Sequence, residues 1–321
     1  MRSMFFEVKL TVDKAIRQSG FTLSRILSVL GIVRSWYYRQ LNPGFMLETR
    51  FNAFVVREDD EWIVVGYKRR NPRMSFREIA YTLMDEDLAY LSPSSVYAIL
   101  KKHDMVTSWK TRLWASKKAD KPEKPDEVWQ TDIMYVKITG RFYYLLIFID
   151  AYSRYIVHHK LLVSMDGDSI ATEAQIAIEI LRKDSLADPD IQSDNGSGFI
   201  SMEFKIVLKA NNLTHKRIKP HTPTDNAIIE RANRTVREEL ETDIVSDFQG
   251  TEKSIDHIVQ RYNNERRHSS LNYLPPMEYY RGDPDVRIAV REAKMEMAKR
   301  IRKENNMKDR NGGEATGVSV N

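Results

Sequence analysis

The chain has 321 residues, 42% hydrophobic and 30% charged, with no cysteine. Such a composition supports real cores, predicts two or three domains, and excludes disulfides, thiolate zinc sites and cysteine nucleophiles. The net charge of +5 is unevenly spread: residues 1–125 hold 22 Lys and Arg against 14 Asp and Glu, the remainder 28 against 31.

A basic front half fits polyanion binding and ordinary solubility equally well. No run of about 18 uncharged apolar residues occurs, so no membrane span is expected. The start, MRSMFFEVKL, lacks a leader-like apolar region, and a cytoplasmic protein is the simplest expectation.

In chain order, residues 11–40 read as short helices. Thr22 is placed to cap Leu23–Leu30, Gly31 to turn the chain, and Val33–Gln40 to resume a helix. This is helix-turn-helix spacing, and Arg34 and Arg39 on the second helix suit a DNA groove. A helical bundle without a DNA role fits the same pattern. A second such unit follows: Ser75-Phe76-Arg77-Glu78 is a capping box, and Ser92-Pro93 opens a helix ending in Lys101, Lys102 and His103. Those cations complement the helix C-terminus as well as a DNA phosphate. Residues 109–125 are polar, basic and proline-bearing, and read as a linker.

From Glu127 the pattern changes. Val128–Ile138, Arg141–Asp150 and Tyr155–Leu162 read as strands of an antiparallel meander, joined at Thr139-Gly140 and Ala151–Arg154. Helix Ser169–Arg182, strand Asp190–Gln192, helix Met202–Asn211, strand Leu213–Ile218 and helix Asn226–Val245 follow. That order predicts an α/β core with a mixed sheet covered by helices. Ile255–Asn264 and Pro276–Arg281 add short helices. Asp285–Asn305 adds a charged one, and the last dozen residues are expected to be disordered. The expected domains are two helix-turn-helix units (1–45 and 46–108), the linker 109–125, a core 126–283, and a helix with tail, 284–321. The apolar positions Val286, Ala289, Val290, Ala293, Met297 and Ile301 of that last helix form a stripe suited to self-association or to packing on the core.

Three acidic residues are candidates for catalysis. Asp132 lies inside an otherwise apolar strand, where a charge is costly unless paired or bound to a cation. Asp194 follows a strand at the edge where α/β sheets place ligands, beside Gly196 and Gly198. Glu230 begins the long helix whose stripe Ile229, Ala232, Val236 and Leu240 is expected to pack inward. Such carboxylates can hold paired Mg²⁺ for in-line displacement at a phosphodiester. Each alone reads equally as a turn, cap or paired residue. Asp150 and Asp225 are expected in purely structural roles, as a turn anchor and a helix cap.

Together these segments resemble a known family. Trp129-Gln130-Thr131-Asp132, Phe148–Arg154, Gln192–Gly196, Thr222–Arg231, Tyr262–Leu271 and Pro275-Pro276 are similar to motifs of bacterial insertion-sequence DDE transposases, in the retroviral integrase superfamily. Thirty-five residues separate Asp194 from Glu230, as in that family, and Arg237 matches its basic residue two turns on. The resemblance implies a ribonuclease H-like fold with a five-stranded mixed sheet. It implies two Mg²⁺ or Mn²⁺ ions on Asp132, Asp194 and Glu230, and strand transfer at transposon ends. Arg234 and Arg237, with Arg231 one position round the helix, would face DNA. A homo-oligomer on paired DNA ends is expected, and relatives also raise a separately encoded DNA-binding partner. Ala227 departs from the Gly of some relatives. Two rivals stand beside this reading: a nuclease of the same fold, and a DNA-binding regulator with an inactive core.

Overall fold

The computed structural model describes residues 2–41, 55–106, 122–218, 226–241, 243 and 247–315. The chain divides into two compact units, Met1–Val55 with Arg300–Asn321, and Val56–Lys299.

The first unit contains α1 (Arg2–Ser19), α2 (Leu23–Val29) and α3 (Arg34–Leu41). Val12, Ile26, Leu27 and Tyr37 form its buried centre. α1 is one continuous helix where shorter pieces were expected. Gly20 and Gly31 turn the chain with φ of 66° and 65°, a conformation open to glycine because it lacks a Cβ. Thr22 stands at the N-cap of α2, but its side chain makes no capping bond. Its carbonyl alone starts the helix, accepting from the amides of Arg25 and Ile26.

The second unit opens with α4 (Glu58–Arg70), α5 (Phe76–Asp85) and α6 (Pro93–Lys102) around buried Val64, Ile79, Leu83, Val96 and Leu100. α4 was not foreseen, although its signal is present. Glu58, Asp59, Asp60 and Glu61 fill the first turn and Lys68, Arg69 and Arg70 the last, complementing the helix dipole. The capping box at Ser75 and Glu78 forms as expected, and Ser92 caps α6 by accepting from the Ser95 amide. Residues 109–121 of the basic linker lie outside the described residues.

The core sheet has five strands: β1 (Val128–Ile138), β2 (Arg141–Asp150), β3 (Ile156–Leu162), β4 (Asp190–Ser193) and β5 (His215–Arg217), in the order β3-β2-β1-β4-β5. β1–β2 and β2–β3 are antiparallel, while β1–β4 and β4–β5 are parallel. The first turn carries Thr139 and Gly140 at φ of 44° and 85°, the double positive φ of a tight hairpin.

Six further helices follow in sequence: α7 (Gly167–Asp184), α8 (Met202–Ala210), α9 (Ala227–Leu240), α10 (Phe248–Asn264), α11 (Pro276–Tyr280) and α12 (Pro284–Ala315). Trp129, Leu146, Phe148 and Ile191 on one sheet face pack with α7 and α8 residues. Met134, Leu145, Ile147 and Ile149 on the other pack with the α9 stripe and with Ile255, Ile258 and Val259 of α10. Coverage of both faces explains why β2 is buried continuously from Leu145 to Asp150 instead of alternating. The strand order, directions and flanking helices are those of a ribonuclease H-like fold.

Three helix boundaries differ from expectation. α9 stops at Leu240, and α10 begins at Phe248 because Asp247 caps it, accepting from the Gly250 amide at 2.7 Å. α12 runs on through Ala315, into residues expected to lack regular structure. Its Val286, Val290 and Met297 remain exposed, so that stripe does not pack on the core.

The Tyr262–Leu271 segment closes the edge of β3. Asn263 accepts from the Ile156 amide and donates to its carbonyl, both at 2.9 Å, beside the register shift at Phe148/Ile149. Replacing Asn263 by Ala orphans two buried backbone groups and should lower stability by about 2–4 kcal/mol. Asn264→Ala, at an exposed neighbour, should change it by less than about 0.5 kcal/mol. Urea unfolding of the two full-length variants checks the contrast.

Candidate active site

Parallel pairing of β1 with β4 sets Thr131 opposite Ser193. The next residues, Asp132 and Asp194, therefore emerge side by side where β4 ends. β1 continues past this point, so Asp132 stays within the sheet while Asp194 stands at its rim. α9 supplies the third carboxylate. Its first turn is tied to β1 by the Ile229 amide, which donates to Gln130 Oε1 at 3.2 Å. One turn on, Asn233 Nδ2 donates to Asp132 Oδ2 at 2.8 Å. Glu230 lies between these two tethers.

The electrostatics record the meeting. Burial pushes the Asp132 carboxyl up to about 6, and the charges of Asp194 and Glu230 add to it; bonds from the Ile133 amide and Asn233 act the other way. Asn233 Oδ1 is buried beside this charge with no hydrogen-bond partner among the described residues. Among the described residues, no three His, Asp or Glu side chains are gathered tightly enough to hold a metal ion. The trio thus meets through its fields and not as a closed ligand set. An all-carboxylate cluster with a raised pKa and an orphaned amide oxygen is still a donor set chemically suited to a hard divalent cation.

The loop bearing Asp194 is built by local bonds. Asp194 Oδ1 accepts from the Gly196 amide at 2.8 Å. Buried Ser193 donates to the Asp194 carbonyl and accepts from His215 Nε2, both at 2.8 Å. A Cβ at Gly198 would collide with the Ile170 side chain and sit 3.0 Å from the Met165 carbonyl. Glycine there lets the loop lie against α7.

The structural expectation for Asp150 is met. It is fully buried, and its oxygens accept from the amides of Asp126 at 2.9 Å and Ser153 at 2.7 Å, and from the Ser153 hydroxyl at 2.5 Å. Asp225 lies outside the described residues, and Asn226 occupies the N-cap of α9.

The candidate DNA contacts separate. Arg234 and Arg237 are exposed on α9, on the Glu230 side, and make no ion pair among the described residues. Their possible acidic neighbour Glu239 instead pairs with Arg261 at 2.9 Å and Arg266 at 3.6 Å. Arg231 is exposed on the same helix; burial, and then the charges of Arg266, Arg154 and Arg231, push His268 down to about 3. Lys101 is exposed at the end of α6, whereas Lys102 is held by Glu61 at 2.7 Å. Arg34 and Arg39 lie on α3, in the other unit, with Arg34 bonded to Ser24 at 3.2 Å. Gln130 and Asn233 were not singled out from sequence. Their signals were a polar residue two before Asp132, and an amide one helical turn after Glu230.

Two family models, both described as integrase core domain, match residues 122–223 and 211–276. Residues 122–276 are thus similar to integrase core domains. A transposase for insertion sequence element IS904 from Lactococcus lactis is 26% identical over 165 residues, 50% of this chain and 63% of that protein. The Gag-Pro-Pol polyprotein of human T-cell leukemia virus 3 is 28% identical over 109 residues, 34% of this chain and 7% of the polyprotein. This chain therefore spans less than two thirds of the length of these relatives. The HTLV-2 integrase catalytic core domain in complex with magnesium aligns at a TM-score of 0.41 and 17% identity, covering 49% of this chain and 98% of that one. Among the described residues no helix is long and apolar enough to cross a membrane.

The raised pKa has a consequence for stability. Asp132 favours the fold fully below pH ~3.8 and loses that contribution as pH rises through about 6, when burial and like charge oppose its ionised form. In metal-free buffer at pH 7.5, Asp132→Asn should stabilise the chain by about 1–3 kcal/mol. The advantage should fade toward pH 4, as read from denaturation midpoints across that range.

Proposed function

We propose that this protein is a DNA transposase, which cleaves a phosphodiester at a transposon end and joins the freed 3′-hydroxyl to target DNA. What supports the reading is that the charges of Asp194 and Glu230 both reach Asp132, within a segment similar to integrase core domains. The magnesium named with the HTLV-2 core domain supports divalent metal use here.

Asp132, Asp194 and Glu230 would together hold two Mg²⁺ or Mn²⁺ ions. Bound there, the ions would supply charge stabilisation for the attacking and leaving oxygens of an in-line displacement. The chain's own residues do the positioning. Asn233 orients the Asp132 carboxylate by its 2.8 Å bond, and the Gln130 tie holds the start of α9 against β1. Arg234 and Arg237, exposed and free of ion pairs among the described residues, would take DNA phosphates beside Glu230. α5–α6, and α2–α3 in the other unit, would read terminal sequence, with Lys101 and Lys102, and Arg34 and Arg39, against the backbone. Joining two ends requires at least two copies on DNA, with or without a separately encoded DNA-binding partner. The bacterial cytoplasm is the setting this reading implies.

The test is incubation of the full-length protein with candidate terminal-repeat duplexes and a target plasmid in Mg²⁺. Joined product supports a transposase. Cleavage without joining points to a nuclease, and binding without cleavage to a regulator. Asp132→Asn, Asp194→Asn and Glu230→Gln should each lower cleavage and joining by about three orders of magnitude or more, while terminal-DNA affinity is kept. A variant that turns over at the wild-type rate removes its residue from the site.

A further inference from the structure

Within the unit Val56–Lys299, contacts between the α4–α6 bundle and the sheet-bearing core gather around one carboxylate. Asp85, the last residue of α5, is 9% exposed and takes two arginines from the core side. Arg291 of α12, itself 6% exposed, binds it in a fork, Nε to Oδ1 at 2.8 Å and Nη2 to Oδ2 at 2.7 Å. Arg267, just after α10, donates to the same Oδ2. Two further donors of Arg291 are used as well: Nη1 reaches the Asn272 carbonyl at 2.7 Å, and Nη2 the Tyr273 carbonyl at 3.0 Å.

The core loop is shaped for this contact. Asn272 and Tyr273 adopt φ of 50° and 56°, a region seldom occupied by side-chain-bearing residues and rarely by an aromatic. That turn presents both carbonyls to Arg291 and stacks the Tyr273 ring on Tyr81 of α5, with centroids 5.2 Å apart. Arg291 also lies over Tyr81 at 4.9 Å.

Buried ion pairs contribute little net stability compared with apolar packing, but they penalise every arrangement that separates the partners. A contact of this kind holds geometry. Geometry matters here because successive phosphates of one strand are spaced about 3.4 Å along the duplex axis. A displacement of a few ångström between the DNA-holding helices and the carboxylates would present a different phosphate.

We infer that Asp85, with Arg267 and Arg291, is a positioning latch: it fixes the distance between DNA held by α4–α6 and the phosphodiester presented to Asp132, Asp194 and Glu230, and so determines where the strand is cut. This rests on the transposase reading above. None of the three latch residues touches the reacting atoms.

Two measurements on the full chain test it. The chain has no cysteine, so spin labels on Ala98→Cys in α6 and Ile206→Cys in α8 report one distance between the two parts. That distance should be narrow in the otherwise native protein, and broadened or shifted by Asp85→Asn and by Arg267→Gln. The second change leaves Asp85 and Arg291 as a balanced pair and guards against simple misfolding. Next, 3′ ends are mapped on a duplex selected from a random-sequence pool for binding to the protein, in Mg²⁺. The native chain should cut at one phosphate. Both variants should spread cuts over neighbouring phosphates, with at least a tenfold loss at the original one and affinity within threefold. Asp87→Asn, which removes the charge from the exposed pair with Lys294 and the bond from Tyr90 without touching Asp85, should keep the single position. An unchanged distance and an unchanged cut position in both variants overturn the latch. A native chain that cuts nothing, while its distance still depends on Asp85, sinks the transposase reading and leaves the coupling between the two parts standing.

Discussion

Like charges held within each other's field must be kept in place by something other than themselves. Asp132, Asp194 and Glu230 come from two strands and a helix, and their mutual interaction opposes the fold wherever no cation compensates it. The opposing forces are all neutral. Parallel backbone bonds from β1 to β4 fix the register of the two aspartates. Buried Ile229, Ala232 and Val236 hold α9 on the sheet, and two side-chain amides, Gln130 and Asn233, pin its first turns. The surrounding core can be read as a support for one unfavourable electrostatic arrangement.

The contrast between Asp132 and Asp150 follows from the same logic. Both are acidic residues of central strands, and burial raises both carboxyls. Asp150 is surrounded by donors and serves as the hub of a turn, with Asp126 beside it linking Trp129 at 3.0 Å and Arg281 at 3.0 Å. Asp132 has one side-chain donor and two carboxylates for neighbours. Satisfaction by hydrogen bonds separates the structural aspartate from the candidate ligand, while residue type and strand position do not.

Charge does a different task at the junction of the α4–α6 bundle with the core. There an acidic residue gathers two arginines away from water, and the loop after α10 accepts an uncommon backbone conformation to complete the set. The segment from Tyr262 to Tyr273 thereby serves three neighbours: β3 through Asn263, α5 through Arg267 and Tyr273, and α12 through its carbonyls. A stretch that reads in sequence as the polar end of a domain is a connecting piece in three dimensions.

Elements with a local physical cause were legible from the chain alone. The alternating and aromatic runs of β1 to β3, the Thr139-Gly140 turn, the capping box at Ser75 and the apolar stripe of α9 all follow from contacts a few residues apart. The three candidate carboxylates were nominated by place alone: one inside an apolar strand, one just after a strand and one in the first turn of a helix. Failures came where a distant partner decides. α4 has little apolar periodicity and is stabilised by packing in its bundle. α12 is held through Arg291 by a carboxylate about 200 residues away in the chain, while its apolar stripe stays exposed. Asn233 and Asp85 looked like ordinary helix residues. Their roles depend on which side chain the fold brings opposite them, and burial at long range, which sets that choice, is written only in the tertiary structure.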